Sequence, residues 1–167
     1  MNTLNLNMLS DSQLAMQFED IKRILRNADH MVYITYPVLK ENRLLVKVLE
    51  EVHEAVKRTI NIIMGYEYEC KRIKLYSDYK INMTIFEQRC APRYYLSADE
   101  MTGIRQIMDL FESHKSSPME FSRQNKFVIM SDNLKTDSIT VQKLKTMLGT
   151  AKLFARKAQN SLILKTI

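Results

Sequence analysis

The sequence predicts an all-α protein, a single-domain bundle of four to five helices with one irregular segment. Three observations support this fold class. The 167 residues include only three Gly and three Pro, fewer turn residues than a β-sandwich or a dinucleotide-binding fold requires. Apolar residues recur at spacings of three and four along most of the chain. Two capping boxes, Ser10 with Gln13 and Ser97 with Glu100, mark helix starts.

The first predicted helix covers residues 11–36 and follows an N-terminal arm, residues 1–9, that shows no period. Pro37 lacks the N–H that a helix interior needs, so we expect the helix to stop before it. Residues 32–36, VYITY, are rich in β-branched and aromatic side chains, so a short strand is the alternative there. The apolar face of this helix consists of Leu14, Phe18, Ile21, Leu25, Ala28 and Val32.

The second predicted helix, residues 42–75, is apolar around so much of its circumference that we place it at the centre of the bundle. A shorter helix is expected around residues 81–88, and a further long one covers residues 98–114. The last helix covers residues 139–164. Its apolar face includes three alanines, which let another helix approach closely, and this surface favours a homodimer.

Residues 115–137 are expected to form an irregular strap between the last two long helices. Ser116 or Ser117 is a suitable N-cap for a short turn, with Pro118 in its first position. Phe121 would anchor this turn in the core. Residues 126–130, KFVIM, form either a short strand or a buried extended segment.

The strap also contains a candidate anion site. His114 and Arg123 flank the capped turn, whose backbone N–H groups could hold a phosphate or a carboxylate together with Arg123. The alternative for His114 is a structural one, because a protonated imidazole is favourable at a helix C-terminus. The alternative for Arg123 is a solvated side chain.

Basic residues are concentrated at the end of the chain. The net charge is +6, and residues 121–167 contain nine basic and only two acidic side chains. Lys145, Lys152 and Arg156 are spaced by seven and four residues, which places them in one stripe of the last helix. Such a stripe is typical of a nucleic-acid or other polyanion interface. A solvated basic helix face is the alternative.

The first helix contains the candidate catalytic residues. Arg23 precedes His30 by seven residues and Arg26 precedes it by four, so Arg26 and His30 share one helix face. A His that moves a proton and an Arg that stabilises charge on phosphoryl oxygens are the minimum for cleaving RNA without a metal ion. The alternative is a surface His30 beside Asp29.

The two cysteines, Cys70 and Cys90, form no ligand motif. We therefore expect no metal site and no cofactor, and two thiols in a chain of this size favour a reducing compartment. No apolar stretch approaches the roughly 20 residues of a membrane span. The expected location is the cytoplasm, without membrane association.

The layout of long helices over about the first 115 residues resembles the HEPN superfamily of α-helical bundles. RNase members of that family have an Arg, four to six residues, and then a His, and Arg23 with His30 fit the upper limit of that spacing. Arg26, with three residues between, does not fit. The segments ADHMVYITYP and SPMEFSR also resemble small archaeal α-helical proteins, a likeness that implies no particular activity.

These observations leave three functions open. The first is an RNA-associated, HEPN-like binding protein that uses its basic C-terminal helix. The second is a non-catalytic, homodimeric interaction module whose basic helix binds an acidic protein. The third is a metal-independent RNase, which the resemblance implies and which Arg23, Arg26 and His30 would serve.

Overall fold

The computed structural model describes the backbone of residues 10–165 and the side chains of residues 10–163. The predicted N-terminal arm lies outside these residues. Residues 10–165 contain six α-helices, two π-helical turns, one 3-10 turn and three strands. They follow in this order: α1 Asp11–His30, π-turn Met31–Thr35, α2 Tyr36–Leu39, α3 Arg43–Glu69, α4 Tyr79–Ile85, π-turn Phe86–Cys90, 3-10 turn Ala91–Tyr94, α5 Ala98–Ser116, β1 Met119–Arg123, β2 Lys126–Met130, β3 Thr136–Thr140 and α6 Val141–Lys165.

Helix α3 lies at the centre of the bundle, as its broad apolar surface predicts. It packs against α1, α5 and α6, and α6 also contacts both α1 and α5. The alanines of α6 at positions 151, 155 and 158 are no more than 6% exposed. The alanine surface is therefore covered by helices of the same chain and is not exposed to a second copy, so the homodimer stays a prediction.

The first helix continues through Pro37 instead of stopping before it. A π-helical turn, Met31–Thr35, precedes the proline, and Pro37 then occupies the first turn of α2. The wider turn relieves the clash between a proline ring and the carbonyl one turn earlier. The helix ends at Leu39, where Lys40 has a left-handed φ of 52°. Residues 32–36 are thus helical, and the alternative of a strand is wrong.

Helix α3 ends at Glu69, six residues before the predicted end at Leu75. Lys71 has a left-handed φ of 57°. The Lys71 N–H donates to the Tyr68 carbonyl at 2.8 Å, and the Arg72 N–H donates to the Glu67 carbonyl at 3.0 Å. These two bonds form a Schellman motif. The sequence does not predict this motif, because a lysine occupies the position where glycine is usual.

A three-stranded antiparallel sheet replaces the irregular strap predicted for residues 115–137, so the protein is not purely all-α. The strand order is β1-β2-β3. KFVIM forms β2, the strand alternative. Phe127 pairs with Ile139 of β3, and both pack against the helical core together with Ile129. Ser117 caps no helical turn, since its Oγ donates to the carbonyls of Met119 at 2.7 Å and Met130 at 2.8 Å.

Candidate nucleic-acid interface

Helices α1 and α6 lie side by side in opposite directions, and two contacts fix their register. The Lys152 ammonium forms an ion pair with the Asp29 carboxylate. The Lys145 Nζ lies 4.7 Å from the centre of the Tyr33 ring, within the range of a cation–π interaction. Residue numbers rise along α6 as they fall along α1, and both helices advance 1.5 Å per residue. The turn of α6 after Lys152 therefore lies beside the turn of α1 before Asp29.

This register brings basic residues from the two helices to one surface. Arg156 follows Lys152 by one helical turn, and Arg26 precedes Asp29 by about one turn. We call the surface formed by Arg26, His30, Lys145, Lys152 and Arg156 the α1/α6 face. All of these side chains are exposed except Lys145, which is half-buried.

Arg26 and Arg156 form no ion pair with any side chain of residues 10–163. Lys152 is different, because the Asp29 carboxylate neutralises it. Both guanidinium groups therefore keep their N–H donors available to solvent. A guanidinium presents a planar fork of donors that matches the oxygens of a phosphate group.

The basic excess of α6 is smaller in the folded protein than in the sequence. Lys143 pairs with Asp137 at 2.8 Å, and Lys157 pairs with Glu100 at 2.7 Å. With Lys152, three basic side chains in the described part of α6 are thus neutralised. Their acidic partners lie before the helix or on other elements. Sequence counting missed this, because the partners of Lys152 and Lys157 are distant in the chain.

The candidate catalytic residues lie on the exposed side of α1 but have partners of their own. The Arg23 Nη2 donates to the Asp20 Oδ1 at 3.0 Å. The His30 Nδ1 lies 3.3 Å from the Thr35 Oγ1. Arg26 and His30 are one turn apart and both exposed, so both belong to the α1/α6 face.

His114, one of the two candidate anion-binding residues of the strap, contacts Glu120 at the start of β1. Its Nδ1 is 2.6 Å from the Glu120 Oε1, and the two side chains are 13% and 23% exposed. This contact ties the end of α5 to β1. Arg123 lies at the far end of β1, three residues or about 10 Å beyond Glu120 at strand spacing. The structure does not bring His114 and Arg123 together, and the capped turn expected to complete their site is a strand.

Phe111 connects His114 to a second, buried histidine. The His53 ring stacks on Phe111 with 3.6 Å between ring centres and 10° between planes. The His114 ring meets the same phenyl ring edge-on at 6.2 Å. Burial, together with the positive charge of the neighbouring Lys57, lowers the pKa of His53 to about 4. His53 is therefore a neutral core side chain at neutral pH.

A buried carboxylate at the end of α3 was not anticipated from the sequence. Glu67 accepts hydrogen bonds from the Tyr94 hydroxyl at 3.1 Å, the Arg72 Nη1 at 3.3 Å and the Arg93 Nη1 at 3.4 Å. Burial and the adjacent carboxylate raise the pKa of the Tyr94 phenol. A signal was present, because Glu67 follows Ile60 and Ile63 at helical spacing on the buried face. A carboxylate in such a position requires cationic partners.

A cavity of about 440 Å³ opens beside the start of α6, at the Lys145 end of the α1/α6 face. The Asn42 Nδ2 donates to the carbonyls of Gln124 at 2.9 Å and Lys126 at 3.2 Å, on either side of the lining residue Asn125. This contact fixes the β1–β2 turn against the start of α3. The cavity is lined by Tyr36, Pro37, Lys40, Asn125, Thr140, Val141 and Gln142.

Among the residues that the structure describes, no group of three His, Cys, Asp or Glu side chains is arranged to hold a metal ion. None of the helices in that part of the chain is both long and apolar enough to cross a membrane. Comparison with protein-family models, with curated proteins and with solved structures found no match to the chain. The resemblance to the HEPN superfamily therefore stays a prediction from the sequence.

Proposed function

We propose that this protein binds RNA through the α1/α6 face without cleaving it. The observation that carries the proposal is the antiparallel register of α1 and α6, which places the unpaired guanidinium groups of Arg26 and Arg156 on the same side of the molecule. Lys145 and Lys152 extend that surface along α6. The cations follow the axes of two neighbouring antiparallel helices. This linear arrangement suits a phosphate backbone, whose charges also follow a line.

Binding without cleavage is proposed because two of the three candidate catalytic side chains have partners, and the third, Arg26, does not have the spacing to His30 that RNase members of the HEPN superfamily show. Arg23 is paired with Asp20, and the His30 Nδ1 faces the Thr35 hydroxyl. Cys70 and Cys90 form no disulfide, which fits a reducing compartment, so we place the protein in the cytoplasm.

The proposal is tested by changing Arg26 and Arg156 together to Gln. RNA affinity should fall at every RNA sequence, and the plot of log K against log salt should become shallower by about 1 per residue. The matched control is the double change of Arg43 and Arg89 to Gln, two exposed arginines outside the α1/α6 face. It removes the same charge from other elements. An equal loss of affinity in both variants would reject the α1/α6 face as the site.

A homodimeric protein-interaction module, whose basic α6 binds an acidic protein, is the second candidate function. The observation that favours a homodimer is the outer edge of β1. This edge has no neighbouring strand among residues 10–165, and an open edge is a template for pairing with another chain. Size measurement by sedimentation equilibrium tests this candidate, because the chain mass is 19.7 kDa and a dimer has twice that mass.

A further inference from the structure

The backbone groups of β1 divide into those that bond to β2 and those that point away. Ser131 directly follows β2, and its N–H donates to the Lys135 carbonyl at 2.9 Å. The backbone groups of Ser131 therefore point towards the β3 side. Backbone groups alternate in direction along a strand. Phe127 and Ile129 therefore bond to β3, and the residues that alternate with them, Lys126, Val128 and Met130, bond to β1.

The register of β1 with β2 then fixes which groups lie on the free edge. Val128 is opposite Phe121, Lys126 is opposite Arg123, and Met130 is opposite Met119. These pairs form the hydrogen bonds between the two strands. The N–H and C=O groups of Glu120 and Ser122 consequently point away from the sheet. No backbone or side-chain group in the described part of the chain bonds to them.

We propose that β1 pairs with β1 of a second copy of this chain across a two-fold axis, which joins the two sheets into one of six strands. The inference rests on the homodimeric candidate of the preceding section and is independent of RNA binding. The axis passes beside Phe121. Glu120 of each copy then lies opposite Ser122 of the other, and these two pairs exchange four N–H···O bonds.

The sequence of β1 is complementary to itself in this register. Phe121 faces Phe121 of the second copy in a non-hydrogen-bonded pair, the geometry that brings cross-strand side chains closest. Met119 faces Arg123, so no like charges meet. A shift of the axis to Glu120 would place two carboxylates directly opposite each other, which destabilises a sheet. A shift to Ser122 would leave Met119 unpaired.

The side chains on β1 also permit the pairing. Glu120 points to the core side, where His114 binds its carboxylate. Met119 is 56% exposed, and Phe121 is half-buried on the opposite face from the core. Of the features that protect edge strands, lysine and an internal proline are missing from Met119–Arg123, and the inward-pointing charge of Glu120 is paired with His114. Pro118 precedes the strand and has no N–H, so it limits the pairing to these five residues.

The test combines two variants of β1 with sedimentation equilibrium and circular dichroism. Ser122→Pro removes an N–H that points outward and is not used within the chain, and proline is tolerated at such edge positions. Phe121→Lys places two ammonium groups opposite each other at the axis. The control, Ser122→Ala, keeps the backbone N–H. We expect a dimer for the wild type and for Ser122→Ala, and at least about a tenfold weaker dimer for the other two variants.

The possible results distinguish a dimer that forms through β1, a dimer with another interface, and a monomer. A wild-type monomer at concentrations up to about 100 μM would overturn the inference together with the homodimeric candidate. A dimer that persists in folded Ser122→Pro and Phe121→Lys would overturn pairing through β1 and leave a homodimer with another interface. If Ser122→Pro loses its helical spectrum, Phe121→Lys alone decides. Its side chain lies outside the core, so its fold is expected to survive.

Discussion

The Lys152 ammonium is paired with the Asp29 carboxylate, and these two residues are 123 positions apart in the chain. The pair does two things to the α1/α6 face. It links α6 to α1 at the surface, and it places one negative charge among the basic side chains. An anionic ligand must therefore bind beside a carboxylate that partly cancels the field of Lys152.

Changing Asp29 to Asn should strengthen RNA binding. The change removes the only acidic partner of Lys152 found on the described part of the chain, and it frees that ammonium for phosphate. Both side chains are more than a third exposed, so the free energy of unfolding should change by less than about 1 kcal/mol. Fluorescence anisotropy with labelled RNA measures the affinity. Asp137→Asn is the control, because Asp137 pairs with Lys143. Weaker binding by Asp29→Asn would contradict this account of the face.

Changing Glu67 to Gln should destabilise the fold by about 2–3 kcal/mol, because hydrogen bonds to a buried carboxylate are lost. Arg72 and Arg93 would lose their common partner, and the Tyr94 hydroxyl would face an amide. Urea denaturation followed by circular dichroism measures the loss. Glu69→Gln, two residues further along α3, is the matched control. Equal stability of the two variants would show that the Glu67 cluster does not hold the end of α3 to the 3-10 turn.

His53 should make stability depend on pH. Its pKa is lowered from 6.5 in the unfolded chain to about 4 in the folded protein. A lowered pKa means that the unfolded chain binds the proton more readily. The contribution of neutral His53 is therefore complete above pH 6.5 and is lost as the pH falls towards 4. Carboxylates titrate over the lower part of this range, so the wild type must be compared with His53→Gln. The variant should lose less stability between the two pH values. Identical pH profiles would contradict the burial of His53 as a neutral side chain.

Lys71 occupies a left-handed position that costs a non-glycine residue free energy. Lys71→Gly should stabilise the protein by about 0.5–1 kcal/mol, because glycine adopts this conformation without strain. Thermal unfolding measures the effect. Lys74→Gly, three residues later and without a positive φ, should give no such gain. A lower melting temperature for Lys71→Gly would show that the lysine side chain contributes more than its backbone strain costs.

The helical part of the fold was predictable because helix signals are local. Apolar spacing gave the long helices, and Ser10 and Ser97 both cap their helices as expected. The sheet was missed because its signals are weak. Strand β3, Thr136–Thr140, contains one apolar residue, Ile139, and the β1–β2 turn uses Gln124 at a positive φ of 53° where glycine is common. Neither the sequence of β3 nor that of the turn predicts a sheet by itself.

The candidate interface was predictable only in part for the same reason. Helical spacing places Lys145, Lys152 and Arg156 in one stripe, and no tertiary information is needed for that. The position of Arg26 beside this stripe depends on the register of α1 with α6. That register is set by the packing of both helices on α3 and by the contact of Lys145 with Tyr33. Local spacing contains no information about these contacts.

The central claim is that RNA contacts the α1/α6 face, and an NMR titration of labelled protein with a short single-stranded RNA tests it most directly. The side-chain Nε–Hε signals of Arg26 and Arg156 should shift progressively, together with backbone amides near Lys145 and Lys152. Signals of Arg43 and Arg89 should stay in place. Shifts confined to residues away from α1 and α6, or no shifts at low salt, would contradict the claim.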